Sequence, residues 1–269
     1  MQNLNRIINF FKETRMQRLN KEIKQLSDIK FYWSPNTKLF GIKKDKQDKR
    51  DFVVGEPTFT LPNSWSLKQY CPPIKNQGGI GSCASNAYCT ALEILHNINN
   101  DPVELSELFH YYYTRILEGT FPKDSGQQLR NGAKALTKHG VCFESQMLYD
   151  TSKFNVEPSW LARITARWLR TKKYYRCSSI EEMKKSIFLN YPVVLGIKVD
   201  YRFLTSKDNQ IDKLYGKIIG GHAVVINAFK NNNFEITNSW GMGWGNNGYC
   251  WLSKSFIEKN LIDAWCLTK

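Results

Sequence analysis

A chain of 269 residues, 42% hydrophobic and 13% aromatic, holds enough apolar surface for one large or two small packed domains, which excludes intrinsic disorder. No run of about 18 apolar residues occurs, so a membrane span is excluded, and charge interrupts every apolar stretch of the opening MQNLNRIINFFKETR, so no secretory leader is expected. The formal charge is +14, and residues 1–50 hold 13 Lys/Arg against 5 Asp/Glu.

In chain order, Leu4, Ile7, Ile8, Phe11, Leu19, Ile23 and Leu26 recur at steps of three and four, which predicts an amphipathic helix over residues 4–28 with a cationic outer face. Nine of the 13 cations in residues 1–50 are Lys, which argues against nucleic acid as a partner and leaves an anionic surface or docking in cis. GIKKDKQDKRD (41–51) is charged and aperiodic and reads as an exposed linker. Prolines and glycines then keep the chain irregular from Leu61 to Cys83. Ala84, Ala87, Tyr88, Ala91, Leu92 and Leu95 take up helical spacing, which puts Cys83 in the first turn of a buried helix. Helices are also predicted over 104–118, over 128–139 closing at Gly140, and over 180–190, while 160–169 is ambiguous. Val193–Val199, His222–Phe229, Phe234–Thr237 and Tyr249–Leu252 read as strands. Helices first and strands later make an α+β chain of two subdomains.

Seven cysteines form no CxxC pair, so no structural zinc site is expected, and the missing leader favours reduced thiols. One cysteine stands apart. At a helix N-terminus the unpaired backbone N–H groups stabilise the thiolate of Cys83, although a small buried residue would fit the same place. Gly78, Gly79 and Gly81 permit a substrate to approach, and the Gln77 amide with the Cys83 N–H offers two donors to an oxyanion. Of four histidines, His96, His110 and His139 lie in or beside helices and read as structural. His222 is placed by Gly220–Gly221 at the mouth of a strand. Sixteen residues on, Asn238 opens NSWGMGWGNNGY, where its carbonyl can orient an imidazole and Trp240 can shield that bond.

KNQGGIGSC, GGHAVVINAF and NSWGMGWGNNGY together resemble the papain–cathepsin family of thiol proteases, over about residues 61–252. The resemblance implies a papain-like fold with a helical left subdomain carrying Cys83 and a β-barrel-like right subdomain carrying His222 and Asn238, the cleft lying between them. It implies cleavage of protein or peptide substrates through an acyl-enzyme, with Cys83, His222, Asn238 and Gln77 catalytic, and Gly126, Gly220, Gly221 and Trp240 contacting substrate. A monomer without cofactor is expected. Ile80 and Ala84 replace the family's usual Cys and Trp, so the customary loop disulfide cannot form, and DSGQQLRNGAKAL (124–136) stands where a Cys- and Gly-rich cleft loop is usual. Such a chain is similar to a compact, disulfide-poor branch found in microbes and some large viruses, which would put it in the cytoplasm or in a virion. GGHA is similar to cathepsin B, yet no His-bearing insertion is present, which favours endopeptidase over carboxydipeptidase action. The 41–51 strap resembles a linker of that compact branch, so residues 1–58 are expected to be a pro-segment bound in cis and 59–269 the peptidase domain. Two other readings stay open: a silent papain-fold binding protein using its basic arm, and a transglutaminase-like acyl transferase, which would normally carry Asp at position 238.

Overall fold

In the computed structural model of the protein, residues 41–46 and 48–268 are described, and they fall within one compact unit. The helix expected over 4–28 lies outside the described residues. The first long helix, α1 (Cys83–Ile98), begins where the glycine-rich loop ends and is buried on every side through His96. A helix without a polar face belongs in the middle of a molecule. α1 packs on two strands of the main sheet, β5 (Val193–Asp200) and β7 (Ile218–Lys230).

α2 (Glu107–Glu118) starts three residues later than its spacing suggests. Ser106 Oγ accepts the Phe109 N–H and fixes the start, while Leu105 is taken up in a bridge to Phe143. Gly119, at φ +65°, closes the helix in the left-handed region. α3 (Leu129–Lys138) ends at Gly140, whose φ is +76°, as predicted. The ambiguous stretch resolves into α4 (Trp160–Ala166), capped by Ser159, and α5 (Ile180–Phe188) is capped by Ser179.

Two sheets are formed among the described residues. The larger has eight strands and runs β4 (Lys173–Arg176), β10 (Leu261–Thr268), β5, β7, β8 (Asn233–Thr237), β9 (Tyr249–Ser253) and β6 (Gln210–Ile211), with β2 (Ser64–Ser66) added to β7. Neighbours are antiparallel except β6 with β9. Bulges beside Val199, Ile226 and Leu261 bend it, as sheets that curl toward a barrel require. β10 and β4 give no alternation in sequence because β10 is buried on both faces from Asp263 to Leu267.

The smaller sheet overturns one expectation. Residues 41–51 are not an exposed linker. β1 (Ile42–Lys43) pairs in parallel with β3 (Gln127–Gln128), and Gly41 and Asp45 are buried. Asp45 Oδ2 accepts from the Arg130 backbone N–H at 2.9 Å and from Trp265 Nε1 at 3.2 Å. Asp51 Oδ2 accepts from Arg130 Nη2 at 2.6 Å and Arg176 Nε at 3.2 Å, and Arg176 also pairs with Asp263. Lys185 Nζ then donates to the carbonyls of Val54, Gly55 and Glu56. Two of its charges, Asp45 and Asp51, are spent on internal partners, while Lys43, Lys44, Lys46, Lys49 and Arg50 stay exposed. A charge pattern reads the same in either case.

Candidate active site

Cys83 is the first residue of α1, with Ser82 as its N-cap and no side-chain cap bond. The four first N–H groups of a helix lack intrahelical acceptors, so the thiol sits in their positive field. The N–H groups of Ala223, Gly41, Ala84 and Cys83 itself favour the thiolate, but burial dominates and pushes the thiol up to about 11. Cys83 is fully buried.

His222 lies inside β7, opposite Ile197 of β5, and is also fully buried. Its neighbour Ala223 aims its N–H at the Cys83 sulfur, so strand and helix start meet at these two side chains. Asn238 Oδ1 stands 2.7 Å from His222 Nε2 and accepts the Ser239 N–H at 2.8 Å. An amide oxygen only accepts, so Nε2 carries the proton and Nδ1 keeps its lone pair. Nδ1 has no hydrogen-bond partner among the described residues. Burial lowers the imidazole to about 4, against the bond to Asn238 that raises it. The Trp240 ring stacks on the imidazole, with centroids 4.1 Å apart and planes 22° from parallel. Trp240 is itself buried against Phe203 and Trp244, so it covers the His–Asn pair.

Gln77 is buried. Its Oε1 accepts from Ser239 Oγ at 2.8 Å and its Nε2 donates to the Ile80 carbonyl at 3.1 Å, which leaves one amide proton. Its backbone N–H donates to Ser239 O at 2.8 Å, which ties the loop before Cys83 to the turn after Asn238. All seven cysteines are free. Polar contacts brace the loop instead: Asp124 accepts the Gly81 N–H at 2.9 Å and the Tyr111 hydroxyl, and Tyr149 Oη lies 2.6 Å from Ser82 Oγ. Asp124, Tyr111 and Tyr149 carry no motif in sequence, because their role comes only from contacts across 43, 13 and 67 residues.

The candidate substrate contacts gather around the chain's own residues 41–42. Gly126 has φ +70°, and a Cβ there would come within 2.1 Å of the Gly41 carbonyl oxygen. A Cβ on Gly221 would meet Ile262 Cδ1 at 2.7 Å and the Ile42 carbonyl at 2.9 Å. Ile262 therefore brings the 258–266 segment to this wall. Gly220 is paired with Val199 on the same strand. The other histidines take the structural roles expected. His110 is held between Ser85 Oγ and the Gly132 carbonyl, both at 2.9 Å, His139 stacks on Tyr113, and His96 lies 3.1 Å from Asp101 Oδ2. No group of three or more His, Cys, Asp or Glu suited to a metal ion occurs among the described residues.

The sequence model of the papain family cysteine proteases matches residues 61–264. An uncharacterized peptidase C1-like protein of Acanthamoeba polyphaga mimivirus is 32% identical, with 85% of this chain and 86% of that protein covered. A cathepsin B-like protein, CP2, of Giardia intestinalis is 26% identical over 71% of this chain and 70% of its own. Among solved structures, xylellain, a cysteine protease from Xylella fastidiosa, superposes with a TM-score of 0.77 at 26% identity, covering 90% of this chain and 99% of that one. Procathepsin L 3 of the Tenebrio molitor larval midgut shares the fold at 15% identity, with a TM-score of 0.71 over 96% of this chain and 90% of its own. With most of its length matched by the family model and by a relative above 30% identity, the chain belongs to the papain family of cysteine proteases.

Proposed function

We propose that the protein is an endopeptidase made in latent form, with Cys83 as nucleophile and its own residues 41–58 laid over the site. The observation that carries this reading is the seat of Gly41: Gly126 and Gly221 close on the backbone of residues 41–42, and the Gly41 N–H is among the groups that favour the Cys83 thiolate. A peptide substrate has to occupy that same space.

With the strap displaced, the Cys83 thiol gives its proton to His222 Nδ1, and the sulfur attacks the scissile carbonyl carbon. The resulting oxyanion accepts from the remaining Gln77 amide proton and the Cys83 N–H. His222 returns its proton to the leaving amine as the C–N bond breaks, which leaves a thioester on Cys83. Water, deprotonated by the same Nδ1, adds to the thioester and frees the acid and the thiol. Asn238 keeps the second imidazole nitrogen occupied throughout, so Nδ1 stays directed at the sulfur. In the covered state, burial pushes the thiol up and the imidazole down. Both shifts favour the neutral pair, so covering the site also holds back formation of the thiolate. Endopeptidase action is supported because all four histidines have positions assigned above, and none besides His222 stands at the cleft to bind a chain-terminal carboxylate.

The test is turnover of a fluorogenic peptide by the full chain and by chain nicked near residue 58 and freed of its N-terminal piece. Nicking should raise turnover about tenfold or more, the effect of roughly 1.4 kcal/mol of cover. Cys83→Ala should abolish it. Unchanged turnover after nicking rejects the latent form, and turnover surviving Cys83→Ala rejects the nucleophile.

A further inference from the structure

α4 differs from an ordinary surface helix in being apolar on two opposite faces. Ala162, Ala166 and Leu169 are buried and dock it beside Gly140, where a Cβ would come within 1.8 Å of the Ala166 carbonyl oxygen. The opposite face carries Trp160, Leu161, Ile164 and, one turn on, Trp168, which are 72%, 45%, 45% and 70% exposed. At about 100° per residue Trp160, Leu161 and Ile164 fall within one arc of roughly 100°, and Trp168 follows in the turn after the helix. Arg163 and Arg167 border that arc. Large apolar residues are normally scattered singly over a surface, and a contiguous set marks a contact face.

Trp160 and Trp168 are the two most exposed tryptophans among the described residues. Trp65, Trp244 and Trp265 each donate an indole N–H, to Asn190, Phe203 and Asp45. The indoles of Trp160 and Trp168 make neither a ring contact nor a hydrogen bond among the described residues. The charge around them is one-sided. Residues 158–180 contain six Lys/Arg and no Asp or Glu. Of these, Arg167, Arg170, Lys172 and Lys173 are exposed and form no ion pair among the described residues. Arg176 is bound to Asp51 of the strap, but the four apolar residues and the four unpaired cations form no hydrogen bond or ion pair with Cys83, His222 or the strap among the described residues.

We infer that this face is a peripheral docking site for an anionic lipid surface. Two indoles, a leucine and an isoleucine on one short helix and the turn that follows it suit the boundary between headgroups and acyl chains, where an aromatic ring can keep its N–H wet while its body is buried. The four unpaired cations lie within five residues of Trp168 in the chain and supply the charge that lipid phosphates would meet. The depth is interfacial, since no helix among the described residues is long and apolar enough to cross a membrane. Single-stranded nucleic acid fits less well: Leu161 and Ile164 fill the middle of the stripe and offer no ring on which a base can stack, and the helix face is convex. A second copy would bring the same cations face to face.

The experiment is co-sedimentation of the full chain with phosphatidylcholine vesicles, with and without phosphatidylserine, together with Trp160→Ser/Trp168→Ser, which leaves the charge unchanged. Thermal melts check that this surface variant folds as the wild type does. Binding should require phosphatidylserine and be accompanied by a blue shift of indole emission, and the double variant should lose it by about tenfold or more. Equal binding of wild type and variant would assign any lipid contact to the basic N-terminal residues and overturn the inference. So would absence of vesicle binding, or Trp-dependent binding to single-stranded RNA or to an acidic protein without vesicle binding.

Discussion

Replacing Gly41 with valine in the full chain tests the cover over Cys83 without touching any residue of the proposed chemistry. A Cβ at position 41 would stand 2.5 Å from the Gly81 carbonyl oxygen and 2.8 Å from Gly126 Cα, and both are backbone atoms that cannot swing aside. Overpacking of this kind costs about 1–3 kcal/mol. That cost falls on the seated strap and not on the unseated one, so the uncovered population should rise about 5- to 150-fold. Alkylation by iodoacetamide reads this directly, because Cys83 is fully buried while covered and its labelling rate then scales with the uncovered fraction. The other six thiols provide the internal reference. Lys49→Ala, an exposed change in the same strap, should leave the rate alone. If Gly41→Val and wild type label Cys83 equally fast, with melting temperatures that agree, the strap does not control access and the reasoning fails.

Two further outcomes are expected. Asn238→Ala removes the 2.7 Å partner of His222 Nε2 and should lower kcat/KM of the uncovered enzyme by about 10- to 150-fold, the equivalent of a charge-assisted hydrogen bond of roughly 1.5–3 kcal/mol. It should also move the acid limb of the pH–rate profile, which a purely structural loss would not do. Burial, reinforced by the Asp45 carboxyl and opposed by Arg176, raises Asp263 to about 7 from its ordinary 3.8. A raised carboxyl binds more protons folded than unfolded, so its stabilising contribution is complete below about pH 4 and is lost as pH rises through 7. Melting temperatures of Asp263→Asn and wild type should therefore agree near the acid end and diverge in the variant's favour toward neutrality. A difference that stays constant with pH would refute the assignment.

The comparison of strap and motif explains how much could be read in advance. Cys83 at a helix start, a strand carrying His222, and Asn238 after a strand were legible because each rests on local features: an abrupt change from turn residues to helical spacing, or a short motif of fixed order. His222 itself lies four residues inside β7 and not at the expected mouth, because Gly220 and Gly221 are paired with β5. The helix limits at Gly140 and the strand over Val193–Val199 were legible for the same reason. The late start of α2 was not, since it depends on Leu105 bridging to Phe143. β10 was not either, because a strand buried on both faces lacks alternation.

What the sequence by itself made legible is the α+β order, carried by local spacing, and the family with the residues proposed for the chemistry, carried by the resemblance of three ordered motifs. What only the tertiary structure decided is where residues 41–56 go. Asp45 finds Trp265 across 220 residues, Asp51 finds Arg176 across 125, and Gly41 fits between glycines at 81 and 126. A run of charges written in sequence is equally compatible with solvent or with buried partners. The choice depends on whether distant groups of opposite charge and of the right shape converge, and convergence is a property of the folded chain alone.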